Sequence, residues 1–290
     1  MTTTVKTDAG TGAEAGAGTG AASAGAPWTP DELTERLRAV SAERYHDRHP
    51  FNVRMHEGTL TPVELRRWIA NRFHYQRHIP VKDALILAKF DDPALRRGWS
   101  RRIRDHDGER PGEGGIERWL RLGEAAGIAR EELWDTSRVL PGVRLAVDGY
   151  VNFCRLRPAL DAVAASLTEL SAPDLMRTRI AAFERHYPWI DAEGLAYFRG
   201  RVGQGGRDGQ EALGLVRAWA RTREQQERAV AALAFKCDVL WSLLDAVDGV
   251  GGAGGAGGAG RARGAGRARG AGTGASRGGA EAPGEEAGRA

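Results

Sequence analysis

The amino-acid sequence predicts an all-α protein. Apolar residues recur at helical spacing through most of the segment 28–248, and prolines and capping residues divide that segment into helix-length pieces. No stretch alternates apolar and polar residues convincingly enough to form a half-buried strand. We therefore expect eight or more helices in one bundle-like domain with a single core.

The two ends of the chain differ in composition from this segment. Residues 1–27 are mostly Thr, Ala and Gly, and residues 249–290 repeat Gly-Ala-Gly and Arg-Ala-Arg-Gly. Neither end has enough large apolar side chains to offset the entropy lost on folding, so we predict that both are disordered. The predicted organisation is a leader at 1–27, a folded domain at 28–248 and a Gly/Ala/Arg-rich tail at 249–290.

Charge and hydropathy restrict the class of partner. Of the formal net charge of +4, the tail carries +3 and the leader −1, so the folded segment carries only +2, which is not typical of nucleic-acid binding. The Arg-Gly tail could contact RNA, but it lacks interleaved aromatic residues, which favours a solvated tail. The longest apolar run, 229–235, is too short to cross a bilayer, and we find no signal peptide. We expect a cytoplasmic protein with no nucleic-acid or membrane partner.

The first two helices share a start signal, which is a capping box with proline at the first helical position. The signal consists of Thr29, Pro30 and Glu32 in the first helix and of Thr61, Pro62 and Glu64 in the second. We expect the first helix to end before Pro50. Pro80 is expected to kink or stop the second helix, which resumes in VKDALILAKF.

Similar signals predict the later helices. Asp92-Pro93 opens a helix that ends at Gly108, and GERPGEGG forms a loop. Further helices are predicted in IERWLRLGEAAG, GVRLAVDGYVNFCRL, ALDAVAASLTEL, DLMRTRIAAFERHY and DAEGLAYFRGRV. The last helix is predicted in the run from Glu211 to Val247, which contains no proline and one glycine, Gly214.

The helix after Thr61 places polar side chains on a face that should be buried. Leu65 and Trp68 belong to an apolar stripe, and the same spacing leads to Arg72 and Gln76. A buried charge is costly unless it is paired, so an anion should meet Arg72. That anion is either an internal Asp or Glu or the carboxylate of a ligand, and the spacing leaves both open.

Other polar side chains also fall among apolar ones. Lys236 lies inside the apolar arc of the last helix, where it would reach solvent, form an internal ion pair or lose part of its basicity. Tyr197 and Arg201 share one helical face, for which an ordinary surface pair is the default interpretation. For Tyr150, which lies among apolar residues, the default is core packing.

The histidines offer weak metal signals and one candidate for acid–base chemistry. His74 and His78 have a spacing that suits a metal, but they project opposite the apolar stripe and predict a solvated face. Glu43 and His46 form a single Glu-x-x-His motif, whereas a di-iron carboxylate bundle needs two, so a metal centre is disfavoured. His106, at a helix end, is better placed for acid–base work.

Several motifs carry a resemblance to a known family. They are RYHDRHPFN, ANRFHYQRHIPVKDA, RRIRDHDG, GGIERWLRLGEAAG, VLPGVRLAVDGYVNF, SLTEL, HYPWI and AFKCDVLWSLLDA. In this order they resemble the coenzyme PQQ synthesis protein C family, the pyrroloquinoline-quinone synthases. The resemblance implies a heme-oxygenase-like helical bundle that forms a homodimer. It also implies that a bicyclic tricarboxylate precursor is ring-closed and oxidised by molecular oxygen as co-substrate, with release of hydrogen peroxide and no metal, flavin or heme cofactor.

The same resemblance implies a set of site residues. Catalytic roles would fall to Tyr45, His46, His106, Tyr197, Arg201 and Lys236. Substrate would be bound by Arg72, Gln76, Lys82, Arg102, Tyr150 and Glu169. His106 would act as general base or acid, Tyr197 and Arg201 would line the oxygen site, and the cations would bind substrate carboxylates.

Three positions depart from the family pattern, and other functions stay open. Met176 stands where some members have a histidine, Ser171 where an aromatic is common, and His74 where one of two adjacent aromatics is expected. A thiaminase-like enzyme of the same fold would need a catalytic cysteine, but Cys154 and Cys237 resemble small core residues. A di-iron oxidase would bind iron. A non-catalytic carrier of finished PQQ would need the cations but no base.

Overall fold

The computed structural model describes residues 25–250. These residues form eleven α-helices, three short 3₁₀-helices and no β-strand, so the all-α prediction is confirmed. None of the helices in the described part is both long enough and apolar enough to cross a membrane. The predictions of disorder for most of the leader and tail, at 1–24 and 251–290, lie outside the described residues.

The helices are named in chain order. The α-helices are α1 (Pro30–Arg44), α2 (Pro50–His56), α3 (Pro62–Leu87), α4 (Pro93–Asp107), α5 (Gly114–Ala125), α6 (Arg130–Trp134), α7 (Pro141–Leu156), α8 (Ala159–Ala164), α9 (Ala172–His186), α10 (Ala196–Trp219) and α11 (Arg223–Asp248). The 3₁₀-helices span His46–Arg48, Thr136–Arg138 and Ala165–Leu170. Helix α3 contacts α4, α5, α7 and α11 and is the central element of the bundle.

Capping explains where the long helices begin. Both predicted capping boxes, at the starts of α1 and α3, are present. Asp92 caps α4 through the Ala94 amide, and Gly108 ends that helix with φ of 82°, as predicted. A third capping box, formed by Thr222 and Gln225 at the start of α11, was not predicted.

Helix α3 does not stop at Pro80. It continues to Leu87, so of the two expected effects of Pro80, a kink or a stop, the stop is wrong. An internal proline removes one backbone hydrogen bond and costs about 3 kcal/mol in a helix. Residues on both sides of Pro80, including Ile79 and Ile86, are buried in the core, and this packing outweighs the local cost.

The predicted boundary between the last two helices is also wrong. Helix α10 passes through the glycine-rich stretch 203–209, and the break falls at residues 220–222 instead. A Cβ at Gly209 would lie 2.8 Å from the Leu170 amide nitrogen, and one at Gly205 would lie 3.2 Å from the Ala172 Cβ. These glycines therefore allow the 3₁₀-helix at 165–170 to approach α10 closely.

Aromatic side chains fill the core beside this contact. Trp68 meets Trp119 edge-to-face with ring centroids 5.5 Å apart, and Phe183 meets Phe198 at 5.3 Å. Such pairs add about 0.5–1.5 kcal/mol beyond the area they bury. They join α3, α5, α9 and α10, and these helices carry most of the side chains described next.

Two glycines of α10 provide a matched test of this packing. We expect Gly209→Ala to lower the free energy of unfolding by about 1–3 kcal/mol, because the new methyl group meets backbone atoms. Gly214→Ala, on the same helix with no atom near the new methyl group, should instead raise it by about 0.5–1 kcal/mol. Urea unfolding measures both. Equal stability of the two variants would contradict the proposed close contact.

Candidate active site

A small buried cavity lies among α3, α9, α10 and the 3₁₀-helix at 165–170. Its volume is about 50 Å³, enough for one or two water molecules, each of which occupies about 30 Å³ in the liquid. A surface cleft of about 460 Å³ shares Tyr45 and Leu175 with it. The cavity is lined by Tyr45, His46, Arg72, Tyr75, Gln76, Ile79, Trp119, Thr168, Glu169, Ala172, Leu175, Met176, Arg179, Tyr197, Arg201 and Leu240.

The residues implied by the family resemblance fall into two groups. The first group lines the cavity and consists of Tyr45, His46, Arg72, Gln76, Glu169, Tyr197 and Arg201. The second group is buried but does not line it and consists of Lys82, Arg102, His106, Tyr150 and Lys236. The fold thus gathers them in one region, while their catalytic and binding roles stay predictions.

Arg72 is the first of two cavity arginines without a negative partner. Its guanidinium lies over the Tyr75 ring, 4.1 Å from the centroid. Among residues 25–250 no carboxylate forms an ion pair with it. Of the two alternatives left open by the helical spacing, the internal Asp or Glu is therefore absent from the described chain. Arg72 is half-buried, so water or an anionic ligand would complete its hydrogen bonds.

Arg179 is the second such arginine. Its side chain is 3% exposed, donates to the Asn52 amide oxygen at 3.1 Å and lies over the Trp68 ring. Its Nε has no hydrogen-bond partner in the described part of the chain. Burial, together with the like charge of Arg72, lowers the pKa of Arg179 to about 9. Two neighbouring cations thus face the cavity with no internal counter-ion.

Arg201, in contrast, has internal partners. It forms an ion pair with Glu169 and a longer one, at 3.5 Å, with Asp208. Burial raises the pKa of Glu169, but the nearby charges of Arg201 and Lys82 outweigh that effect and hold the pKa below its usual range. The carboxylate therefore stays ionised and fixes the guanidinium at the cavity wall. Arg201 is accordingly oriented before any ligand binds.

Tyr197 also lines the cavity, so the surface pairing expected for Tyr197 and Arg201 is wrong. The Tyr197 hydroxyl donates to the Gln76 side-chain oxygen at 2.7 Å, which links α10 to α3. Its ring meets Trp119 edge-to-face at 4.8 Å. Helical spacing correctly placed Tyr197 and Arg201 on one face, but it could not show that this face is buried by α3 and α5.

His106 has the geometry of a neutral base. Its Nδ1 lies 3.1 Å from the Arg102 carbonyl oxygen, which can only accept, so Nδ1 carries the proton. Nε2 is then a free acceptor with no partner among residues 25–250. Burial and the charge of Arg201 lower the pKa of His106 to about 3. Gly115 leaves space beside it, since a Cβ there would lie 3.4 Å from the rings of both His106 and Tyr197.

Lys236 is buried, as its position in the apolar arc of α11 predicted. Of the three expected outcomes, it does not reach solvent and forms no ion pair in the described chain. Its Nζ donates to the Tyr75 hydroxyl oxygen at 2.7 Å and lies 3.6 Å from the Tyr150 ring centroid. Burial, followed by the charges of Arg72 and Lys82, lowers the pKa of Lys236 well below that of a solvated lysine. Tyr150 contributes its ring to this environment and is part of the core.

The two remaining cations are held by the protein itself. Lys82 Nζ lies 2.7 Å from a carboxylate oxygen of Asp83. Arg102 donates to the Asp208 carbonyl oxygen and stacks over Trp99, 3.8 Å from the ring centroid. Both cations act on the charge state of Glu169. Lys82 and Arg102 are buried behind the residues that line the cavity and do not line it themselves.

Tyr45 and His46 directly follow α1 and line the cavity. Asn52 fixes this turn by donating to the His46 carbonyl oxygen at 2.7 Å. Burial and the charge of Arg72 lower the pKa of His46 well below its usual range. Glu43 is exposed, so the two members of the Glu-x-x-His motif do not converge. Within residues 25–250 no three His, Cys, Asp or Glu side chains are grouped to hold a metal ion.

His74 does not lie on a solvated face, so that prediction is wrong. It is 7% exposed, and its ring packs against His78 with centroids 4.5 Å apart. Helix α3 is central and is covered on several sides, whereas the projection assumed a single buried stripe. Burial, together with the neighbouring His78, lowers the pKa of His74 to about 4.

The motif comparison missed Arg179 and Tyr75. Arg179 could have been found by the reasoning applied to Arg72, since it follows Met176 by three residues and precedes Phe183 by four on the buried face of α9. Met176, noted as a departure from the family pattern, does line the cavity. No local signal distinguishes Tyr75 from an ordinary core tyrosine.

The sequence is similar to a protein-family model and to curated proteins over most of its length. A model of the TENA/THI-4/PQQC family matches residues 34–246. The pyrroloquinoline-quinone synthase of Granulibacter bethesdensis is 50% identical over 219 residues, which cover 76% of this chain and 86% of that protein. The protein of the same name from Gluconobacter oxydans is 47% identical over 220 residues and is covered to 92% of its length, against 76% of this chain.

Solved structures support the fold class. A TenA homolog from Pseudomonas syringae has a TM-score of 0.63 at 16% identity, with 76% of this chain and 92% of that chain covered. A domain with a heme oxygenase-like fold from Shewanella denitrificans has a TM-score of 0.59 at 14% identity, with 76% and 90% covered. The predicted heme-oxygenase-like bundle is thus confirmed. The chain belongs to the TENA/THI-4/PQQC family.

Proposed function

We propose that this protein is a pyrroloquinoline-quinone synthase. In this reaction a bicyclic tricarboxylate precursor is ring-closed and oxidised by molecular oxygen to PQQ, hydrogen peroxide is released, and no metal or organic cofactor takes part. Two lines of evidence support the proposal. Relatives of that name share about half of the aligned residues over most of both chains, and the chemistry of the cavity suits a polyanionic substrate.

The observation that carries the proposal is the pair of cavity arginines without carboxylate partners. The like charges of Arg72 and Arg179 repel each other, and each arginine lacks an ion pair within residues 25–250. A substrate with three carboxylates supplies the missing negative charge. Arginine suits this task because its planar guanidinium binds a carboxylate through two parallel hydrogen bonds. A neutral substrate would leave both cations uncompensated.

Acid–base chemistry falls to His106. Its free Nε2 can accept a proton from the substrate during ring closure and oxidation. The depressed pKa keeps the imidazole unprotonated, so the base is available throughout the neutral range. Tyr197, beside His106 across Gly115, connects this base to the cavity wall.

The oxygen chemistry needs stabilisation of negative charge. Deprotonated quinol-like intermediates are electron-rich enough to reduce oxygen directly, and each molecule of O₂ that becomes hydrogen peroxide takes up two electrons and two protons. The Tyr197 hydroxyl and the Arg201 guanidinium face the cavity and are held by Gln76 and Glu169. The fixed Arg201 cation stabilises reduced oxygen without reorganisation at the moment of reaction, while the Tyr197 hydroxyl, whose single proton is donated to Gln76, helps to hold the cavity wall in place.

The alternative enzymes of this fold fit the site less well. A thiaminase-like reaction needs a reactive thiolate, but burial raises the pKa of both Cys154 and Cys237 to about 11, and neither lines the cavity. A di-iron centre needs several converging carboxylates and histidines, which the described chain does not group. We further propose, on the family resemblance, a homodimer located in the cytoplasm.

The deciding experiment is a single-turnover reaction. Protein treated with a metal chelator is mixed with the PQQ precursor without oxygen and then exposed to air, and ultraviolet–visible spectra and peroxide are recorded. We expect a quinoid spectrum that develops fully only with oxygen, together with peroxide. Binding without conversion would instead indicate a carrier, and activity that returns only with added iron would indicate a metal-dependent oxidase.

Arg179 provides a test of substrate binding. We expect Arg179→Met to weaken anaerobic precursor binding by about 10²-fold, the usual loss for a buried charge pair. Folding should be retained, because the substitution also removes a buried charge that is repelled by the nearby charge of Arg72. Arg177→Met on the same helix is the control, since Arg177 is exposed and pairs with Asp174. Equal binding by both variants would argue against a substrate contact at Arg179.

His106 provides a test of the chemical step. We expect His106→Ala and His106→Asn to fold and to bind the precursor, while the late oxidation slows by about 10²-fold or more, the usual contribution of a general base. Stopped-flow absorbance after addition of oxygen measures this step. His186→Ala, at a histidine of α9 outside the cavity lining, is the control. Unchanged turnover in the His106 variants would refute the assigned role.

A further inference from the structure

Lys236 has one hydrogen-bonded route toward the cavity. Its side chain is 1% exposed, does not line the cavity and forms no ion pair in the described chain. Its one side-chain hydrogen bond within residues 25–250 is the 2.7 Å bond from Nζ to the Tyr75 hydroxyl oxygen. Any exchange of protons between Lys236 and a molecule in the cavity would therefore pass through Tyr75.

Tyr75 stands between this lysine and the cavity. It lines the cavity, and its hydroxyl oxygen already accepts a hydrogen bond from Lys236. Within residues 25–250 the Tyr75 hydroxyl proton has no acceptor, so it is available to a bound molecule. The Tyr75 hydroxyl thus accepts a hydrogen bond from the protein and can still donate one to a molecule in the cavity. A group that accepts a proton on one side and donates one on the other can act as a proton relay.

We propose that Tyr75 is a catalytic proton donor that delivers a proton to reduced oxygen in the cavity and is reprotonated by Lys236. The inference rests on the proposed oxidase function and adds a residue to it. Reduction of one O₂ to H₂O₂ takes two electrons from the substrate and two protons. His106 passes on one proton that it removes from the substrate, and Tyr75 donates the other while its hydroxyl oxygen takes a proton from Nζ. The substrate releases its second proton to water. After the peroxide has left, Lys236 regains a proton by the reverse route, because Tyr75 donates its hydroxyl proton to Nζ and takes one from water in the cavity.

The surroundings of the pair couple its two proton transfers. Burial raises the pKa of Tyr75, so the phenol gives up its proton only as it receives one from Lys236. The Arg72 guanidinium over the ring stabilises the negative charge that develops on the phenol during the transfer. The positive charges of Arg72 and Lys82 repel the Lys236 ammonium group. Loss of a proton from Lys236 removes this repulsion. Burial and these like charges lower the pKa of Lys236 and make its ammonium group a stronger acid than that of a solvated lysine.

The test uses three variants of the full chain in the single-turnover assay. Tyr75→Phe keeps the ring under Arg72 but loses the hydroxyl, and Lys236→Met keeps most of the side-chain volume but loses the donor. We expect each to slow the oxygen-dependent phase by about 10²-fold, in line with general acid catalysis, with anaerobic precursor binding little changed. The double variant should be no slower than the single variants, because both substitutions interrupt one relay.

Tyr187→Phe is the matched control. It removes a buried tyrosine hydroxyl that donates to the Met55 carbonyl oxygen at 3.1 Å and that does not line the cavity. We expect its oxidation rate to equal that of the unmodified protein. If Tyr75→Phe does not fold, Lys236→Met still tests the relay with Tyr75 in place.

The outcomes separate this inference from the proposed function. If the unmodified protein does not convert the precursor, the proposed function fails. If it does, the relay is overturned by an unchanged oxidation rate in either single variant, by a loss confined to anaerobic binding, or by a double variant whose loss is the product of the two single losses.

Discussion

The site depends on positive charge that no ion pair within residues 25–250 neutralises. Arg179 and Lys236 are buried, Arg72 is half-buried, and none of the three forms an ion pair in that part of the chain. Aromatic rings cover each of them, but a cation–π contact contributes only about 0.5–2 kcal/mol, whereas desolvation of an ion costs several kcal/mol. The remainder has to come from the surrounding fold. The proposed tricarboxylate substrate would remove that deficit on binding, and this is the electrostatic basis of the proposed specificity.

The fold positions the charged groups of the site through close contacts between helices. The glycines of α10 let the 3₁₀-helix at 165–170 approach, which brings Glu169 against Arg201. The Tyr197–Gln76 hydrogen bond joins α10 to α3. The cavity wall is thus a set of prearranged polar contacts between helices, and it is supported from behind by the cluster of tryptophan and phenylalanine rings.

Local sequence signals predicted the features that depend on neighbouring residues. Capping boxes placed the starts of α1 and α3, and helical spacing turned Arg72, Gln76 and Lys236 inward. The errors arose where tertiary packing decides. Core contacts carry α3 through Pro80, and several neighbouring helices bury His74 on a face that a single-stripe projection leaves in solvent. Pairs such as Glu169 with Arg201 depend on contacts between different helices, for which one sequence offers no local pattern.

The small volume of the cavity has a kinetic consequence. A bicyclic tricarboxylate cannot occupy about 50 Å³, so a ligand of that size enters only when the walls separate. Tyr45 and Leu175 line both the cavity and the surface cleft, so they are part of the wall between the two. Association then includes a step in which the walls separate, and product release includes the same step in reverse. Such opening steps limit turnover in many enzymes, and the closed walls shield the bound molecule from bulk solvent.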